Sequence, residues 1–226
     1  MYKIAVFDMD GTILDTIEDL RAAANHALAA LGFPVLGIDA FRPCIGSGIT
    51  MLLKRCLPYG HQIDGNIEKM AMLYKSYYAE HATDFTKVYT GITEVILKMR
   101  EAGIKIAVLS NKPHEFTVSL AQHYFPGMIN VAYGQRDDIP RKPNPAALDM
   151  ILDEFGFTTA DCLYIGDSDV DMQTAKNAGV TSVGVLWGYC PREEIEAVGA
   201  SFIIDKAEDL LTIALDKQLA CEYTMQ

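Results

Sequence analysis

The sequence predicts an α/β protein: a parallel sheet covered by helices on both faces, with a small helical module inserted into one connection. Three observations carry this. Short apolar runs rich in β-branched residues recur at 3–7, 104–109, 162–165, 181–186 and 201–204, with a weaker one near 129–133. Amphipathic helical patterns lie between most of them, and strands that are apolar throughout, rather than alternating, belong to sheets buried on both faces. Residues 8–103 separate the first run from the second, far more chain than one crossover helix needs.

Taken in order, the first strand, Ile4-Ala5-Val6-Phe7, gives way abruptly to Asp8-Met9-Asp10-Gly11-Thr12. Asp and Gly are poor strand residues, so the change from apolar to acidic marks a break in the backbone. A helical stripe follows at 16–31 (Ile17, Leu20, Ala24, Leu28, Leu31), opened by Thr16 with Asp19 three residues on and closed by Gly32. Further helical stretches fall at 47–57 and 66–81. The economical division is an α/β core from 1–14 and 87–226, with a helical cap at 15–86. Insertions beside a site are how such folds acquire lids. The core then continues with helices at 91–102 (Ile92, Val95, Ile96, Met99), 114–124, 145–155, 169–178 and 206–219 between the remaining strands. Pro145 stands at a tolerated first-turn position.

Composition narrows the class. Half the residues are hydrophobic and 22% are charged, as in a soluble globular protein. Nineteen basic against thirty acidic residues leave a formal charge of −11 with no basic stripe, which argues against binding nucleic acid or an anionic membrane. The five cysteines (Cys44, Cys56, Cys162, Cys190, Cys221) are odd in number and unpaired in spacing, so free thiols are expected rather than a zinc knot or disulfide framework. With no stretch of 18 apolar residues and no leader pattern, a soluble cytoplasmic protein is expected.

The chemistry gathers at strand ends. In an open parallel sheet, ligands bind beyond the carboxyl ends of the strands. Asp8 and Asp10 follow the first strand, Ser110-Asn111-Lys112 follows 106–109, and Gly166-Asp167-Ser168-Asp169-Val170-Asp171 follows 163–165. A fourth segment, Arg141-Lys142-Pro143-Asn144-Pro145, opens the helix at 145–155. Each has an innocent alternative. Asp8–Thr12 also fits a capped turn with solvated acids, Ser110 a cap, Lys142 a surface lysine, and the 167–171 cluster a helix N-cap with dipole-favoured acids. Jointly they make a different object. Like charges this close raise each other's pKa unless a cation stands between them, and Mg²⁺ takes one or two carboxylates together with phosphate oxygens.

The order D-x-D-G-T, a Ser at a strand end, Lys-Pro, then G-D-x-x-x-D resembles the haloacid dehalogenase (HAD) superfamily in its phosphatase branch. Such a resemblance implies a Rossmann-like parallel-sheet core with an inserted α-helical cap. It implies that Asp8 is the nucleophile, forming an aspartyl-phosphate, and that Asp10 is the acid for the leaving oxygen and then the base for water. It further implies Mg²⁺ held by Asp8, the Asp10 main-chain carbonyl and Asp167, with Asp171 a further ligand or an orienting group. Thr12, Ser110, Asn111 and Lys142 would contact the phosphoryl group, helped by the main-chain N–H groups of Met9, Asp10 and Asn111. Phe7–Leu14 followed by Asp15-Thr16, Ile45-Gly46-Ser47-Gly48, and Ser110-Asn111-Lys112-Pro113 resemble the phosphoglycolate phosphatase-like group. That implies a cap loop at Gly46, Ser47 and Gly48 approaching the substrate, with Arg42 as a carboxylate or phosphate partner. On pattern alone the loop is equally a turn opening the next helix, and Ser47 stands where that group is Asn-like.

The expected function is therefore a Mg²⁺-dependent phosphatase for a small phosphorylated metabolite, with 2-phosphoglycolate the lead candidate. Pyrophosphate or nucleoside monophosphates are alternative substrates on the same scaffold. A β-phosphoglucomutase-like phosphosugar mutase would keep its phosphoenzyme and need a sugar bisphosphate. A non-enzymatic phosphoacceptor receiver would need neither Asp10 nor a cap. No assembly signature fixes the oligomeric state.

Overall fold

The computed structural model describes residues 1–216. Cys221 and the last residues of the helix expected at 206–219 lie outside them. The chain begins β1 (Ile4–Phe7), β2 (Leu14–Asp15), α1 (Ile17–Ala30), α2 (Ile38–Phe41), α3 (Ile49–Cys56), α4 (Asp64–His81), β3 (Lys87–Val88) and α5 (Ile92–Glu101). It continues β4 (Lys105–Pro113), α6 (His114–Tyr124), β5 (Val131–Gln135), α7 (Ala146–Phe155), β6 (Cys162–Gly166), α8 (Asp169–Ala178), β7 (Thr181–Val185), α9 (Arg192–Val198), β8 (Phe202–Ile204) and α10 (Asp209–Leu215).

Six strands form one parallel sheet in the order β5-β4-β1-β6-β7-β8. β1 is central, with Ile4 level with Lys105 on one side and Cys162 on the other. All four of its residues are fully buried because both faces are covered. Ala5 and Phe7 point with Ile106, Val108 and Ile165 toward α5 and α10, while Ile4 and Val6 point with Leu109 and Tyr164 toward α7. The two-residue side-chain period of a strand makes that division. Each large apolar chain buried there contributes about 1.5–3 kcal/mol.

A third apolar cluster draws its buried residues from Ile17 to Tyr78 alone. In it α1 packs along α4, with α3 across them. The chain leaves the sheet through β2 and returns through β3, which pair antiparallel as a two-residue ribbon. Asp19, nearly inaccessible, pins the return: it accepts from the Phe85 and Thr86 N–H groups and from the Thr86 hydroxyl at 2.7 Å. Among the described residues no helix is long and apolar enough to cross a membrane.

Two expectations are adjusted. The strand expected at 104–109 runs on through Ser110–Pro113, with a register shift between Leu109 and Pro113. Its polar end is held against β5 rather than released as a turn. The ribbon, α2 and α9 were not anticipated, since two- and four-residue elements and a helix burying only Ile195 carry no periodic signal.

Candidate active site

From β1 the chain fills the sheet toward β5, then restarts at β6 on the other side and fills it toward β8. The order reverses between β1 and β6, and the crevice at such a reversal is where α/β sheets hold ligands. Asp8 and Asp10 leave the end of β1, and Asp167 leaves the end of β6. Ser110 sits on β4 beside β1, and Lys142 arrives from the loop before α7.

Lys142 is the hub. Its buried ammonium lies 2.9 Å from Asp8 Oδ1 and 2.7 Å from Asp171 Oδ1, and donates to the Leu109 carbonyl at 3.1 Å. Asp8 Oδ1 is near that charge yet outside hydrogen-bonding angles, so this buried oxygen has no aligned donor. Burial first, then the Asp171 charge, pushes the Asp8 carboxyl from 3.8 up to about 6 against the pull of Lys142. Burial, Asp171 and Asp8 likewise hold Asp167 well above the ordinary carboxylate range. Burial disfavours the Lys142 ammonium, but Asp171 and Asp8 outweigh it and keep its pKa well above that of a free lysine. The surface-lysine reading of Lys142 is thereby excluded.

Oxygens of Asp8, Asp167 and Asp171 lie within 4.8 Å of one another. Three buried carboxylates, one with an unaligned oxygen and two with raised pKa values, form a hard-oxygen donor set that suits Mg²⁺. Asp171 is the most committed of the three. Its Oδ1 accepts from Lys142 and the Tyr164 hydroxyl, and its Oδ2 from the Ser168 hydroxyl at 2.6 Å. Ser168 also caps α8 by accepting from the Asp171 N–H, so the N-cap reading of this segment holds for both residues. Asp167 is packed from two sides: a Cβ at Gly11, whose φ is +89°, or at Gly188 would overlap its carboxylate.

Other expected residues are brought in with different partners. Thr12, expected on the phosphate, donates to Asp167 Oδ1 at 3.0 Å and holds that carboxylate instead. The Asn111 side chain is a strut, donating to the carbonyls of Gly46 and Lys142 and accepting from the Lys142 N–H at 2.9 Å. That leaves only its main chain for a phosphate. Ser110 is buried and lines a cavity of about 50 Å³ beside Asp8 and Asp10, to which Gly46 and Gly48 also contribute. Gly48, at φ +81°, also precedes α3 as its N-cap. Arg42 and Ser47 line a wider cleft of about 450 Å³ that meets the small cavity at Asp8 and Asp10. The N–H groups of Met9 and Asp10 find no acceptor among the described residues.

Three residues to which the sequence reading gave no role in the chemistry stand at the site. Lys112 donates to both Asp10 oxygens, at 2.9 and 3.2 Å, with its side chain only 2% exposed. Thr16 donates to Asp10 Oδ1 at 2.7 Å. The Tyr189 N–H reaches Asp167 Oδ2 at 2.7 Å, while the Tyr189 hydroxyl accepts from the Thr16 N–H.

Residues 5–185 match the family model described as haloacid dehalogenase-like hydrolase. The chain is 35% identical to a phosphoglycolate phosphatase of Pseudomonas putida, over 92% of this chain and 78% of that one. It is 31% identical to one of Vibrio parahaemolyticus, over 93% of this chain and 95% of that one. A crystal structure of a proposed phosphoglycolate phosphatase from Lactobacillus delbrueckii subsp. bulgaricus superposes with a TM-score of 0.87 at 32% identity, covering 94% of this chain and 98% of that one.

Proposed function

The chain belongs to the haloacid dehalogenase-like hydrolase family and is a phosphatase, and we propose that it hydrolyses a small organic phosphate monoester, 2-phosphoglycolate foremost, through an aspartyl-phosphate on Asp8. The observation that carries this reading is the Asp8 carboxylate: buried, with an oxygen near a cation yet lacking an aligned donor, and facing a cavity beside Ser110.

Near neutral pH a carboxylate pushed up to about 6 is still mostly ionised and needs no base to attack. In the first step an Asp8 oxygen bonds to phosphorus while the ester oxygen leaves and takes a proton from Asp10. In the second, Asp10 takes a proton from water, which attacks phosphorus and frees Asp8. Lys112 and Thr16 fix the Asp10 carboxylate for both steps. Ser110, Lys142 and the unpartnered N–H groups of Met9 and Asp10 hold the phosphoryl oxygens, a task of positioning and charge stabilisation. Mg²⁺ held by Asp8, Asp167 and the Asp10 carbonyl would neutralise charge on the transferring group. Asp171 then serves chiefly to anchor Lys142, and Thr12 to aim Asp167.

The division into a core of 1–14 and 87–226 and a cap of 15–86 is part of the proposal, with the cap's Gly46–Gly48 loop and α4 covering the leaving group. The relatives named phosphoglycolate phosphatase, which this chain matches over more than nine-tenths of its length, support a small substrate. The test is phosphate release with Mg²⁺ over phosphoglycolate, pyrophosphate, nucleotides and sugar phosphates, beside Asp8→Asn. Turnover of phosphoglycolate that vanishes in the variant is expected, and wild-type-like turnover in the variant would remove Asp8 from the chemistry.

A further inference from the structure

The small cavity is walled largely by apolar side chains, among them Leu20, Ile49, Leu52 and Phe116. Of its lining residues only Lys112 and Lys142 are cationic. Lys142 is divided between two carboxylates: it donates to Asp171 Oδ1 and to the Leu109 carbonyl, and it lies 2.9 Å from Asp8 Oδ1 on the phosphoryl side. An ammonium has three donors, and Lys112 keeps one to spare. Two of its donors go to the two oxygens of Asp10, and no third acceptor is found among the described residues. The same ammonium lies 4.6 Å from the centre of the Tyr78 ring, which supports the charge without using an N–H.

Resting on the proposed function above, we infer that Lys112 selects the substrate by pairing with an anionic group, a carboxylate, on the leaving group. The geometry places it for this. Asp10, which meets the leaving oxygen, is the residue Lys112 already touches, so an acid one carbon beyond that oxygen comes within reach of its spare donor. In so apolar a cavity a charge-assisted hydrogen bond is worth more than at the surface. A neutral leaving group of the same size leaves that donor unused.

The test compares 2-phosphoglycolate with 2-hydroxyethyl phosphate, in which a CH₂OH replaces the carboxylate. Wild type is expected to prefer the carboxylated ester, a comparison needing no variant. Lys112→Met should lower kcat/KM for phosphoglycolate about 10- to 100-fold more than for the neutral ester, mainly through KM, the loss expected for one hydrogen bond to a charged group. Lys112→Arg should restore part of the preference, and glycolate should inhibit Lys112→Met more weakly than wild type. An equal loss on both esters would show that Lys112 serves Asp10 alone and overturn the inference. So would a wild type that cleaves both esters equally well, which leaves the phosphatase reading standing. Phosphate release from neither ester would sink both.

Discussion

In the metal-free protein, Asp8 should make stability fall as pH rises. Its carboxyl is pushed from 3.8 up to about 6, first by burial and then by Asp171, so between those values the folded chain keeps a proton that the unfolded chain has released. The stability tied to that proton is fully present below about 4 and is lost as pH climbs through 6. At about 1.4 kcal/mol per tenfold change in a protonation equilibrium, the ionised carboxylate costs the fold about 3 kcal/mol. About half is regained at pH 5. Asp8→Asn keeps the volume and deletes the titration. Between pH 7.5 and pH 5, wild type should therefore gain on the order of 1–2 kcal/mol on the variant, or a few degrees in Tm for a chain of this size. Thermal melts followed by circular dichroism in chelator-treated buffer measure it, and Mg²⁺ should flatten the difference by supplying the missing counter-charge. Parallel Tm curves for the two proteins, or a wild type that loses ground as pH falls, would refute the electrostatic account of Asp8.

The remaining predictions concern the parts around it. Asp10→Asn should cost several orders of magnitude in kcat/KM, which reports the phosphorylation step, for alkyl phosphates and far less for activated aryl phosphates, whose leaving groups need no proton; equal losses would contradict the acid role. Gly11→Ala forces a Cβ against Asp167 at a positive φ, so Mg²⁺ titration should show weakened binding, and unchanged affinity would mean that Asp167 does not hold the metal. Thr12→Val removes the hydrogen bond that aims Asp167, and a 10- to 100-fold loss in metal affinity, read by the Mg²⁺ dependence of turnover, is expected. Chelation should stop activity and Ca²⁺ should restore it poorly, its larger and looser coordination suiting this site less than Mg²⁺.

Much of this molecule is legible in its sequence because its central strands are apolar throughout. Ile4–Phe7 and Cys162–Gly166 announce a doubly covered sheet, and the sudden acids after each announce its working edge. The helix at 114–124 was likewise plain, its termini falling at His114 and Tyr124 as expected. What sequence did not disclose is who pairs with whom. Thr12 and Asn111 have the right chemistry for a phosphate, but their side chains are spent on Asp167 and on the Gly46–Lys142 strut, choices made by contacts far apart in the chain. Lys112 was named at its strand end but given no role, for a related reason. Its importance comes from Asp10, 102 positions earlier in the chain, and from the ring of Tyr78 on α4. Tyr189 lies in a loop after β7 with no motif to mark it, yet it braces Asp167 and Thr16 together.

The most direct test is to catch the phosphorylated carboxylate. Asp10→Asn, slowed in releasing phosphate from the acyl phosphate, would be mixed with an activated aryl phosphate, whose departure needs no proton, and Mg²⁺ and quenched into borohydride, which reduces an acyl phosphate to the alcohol and turns the aspartate into homoserine. Peptide mass spectrometry should find homoserine at position 8 and at no other acid. Phosphate released at an undiminished rate with Asp8 unmodified, or label on Asp10, Asp167 or Asp171 instead, would contradict the account.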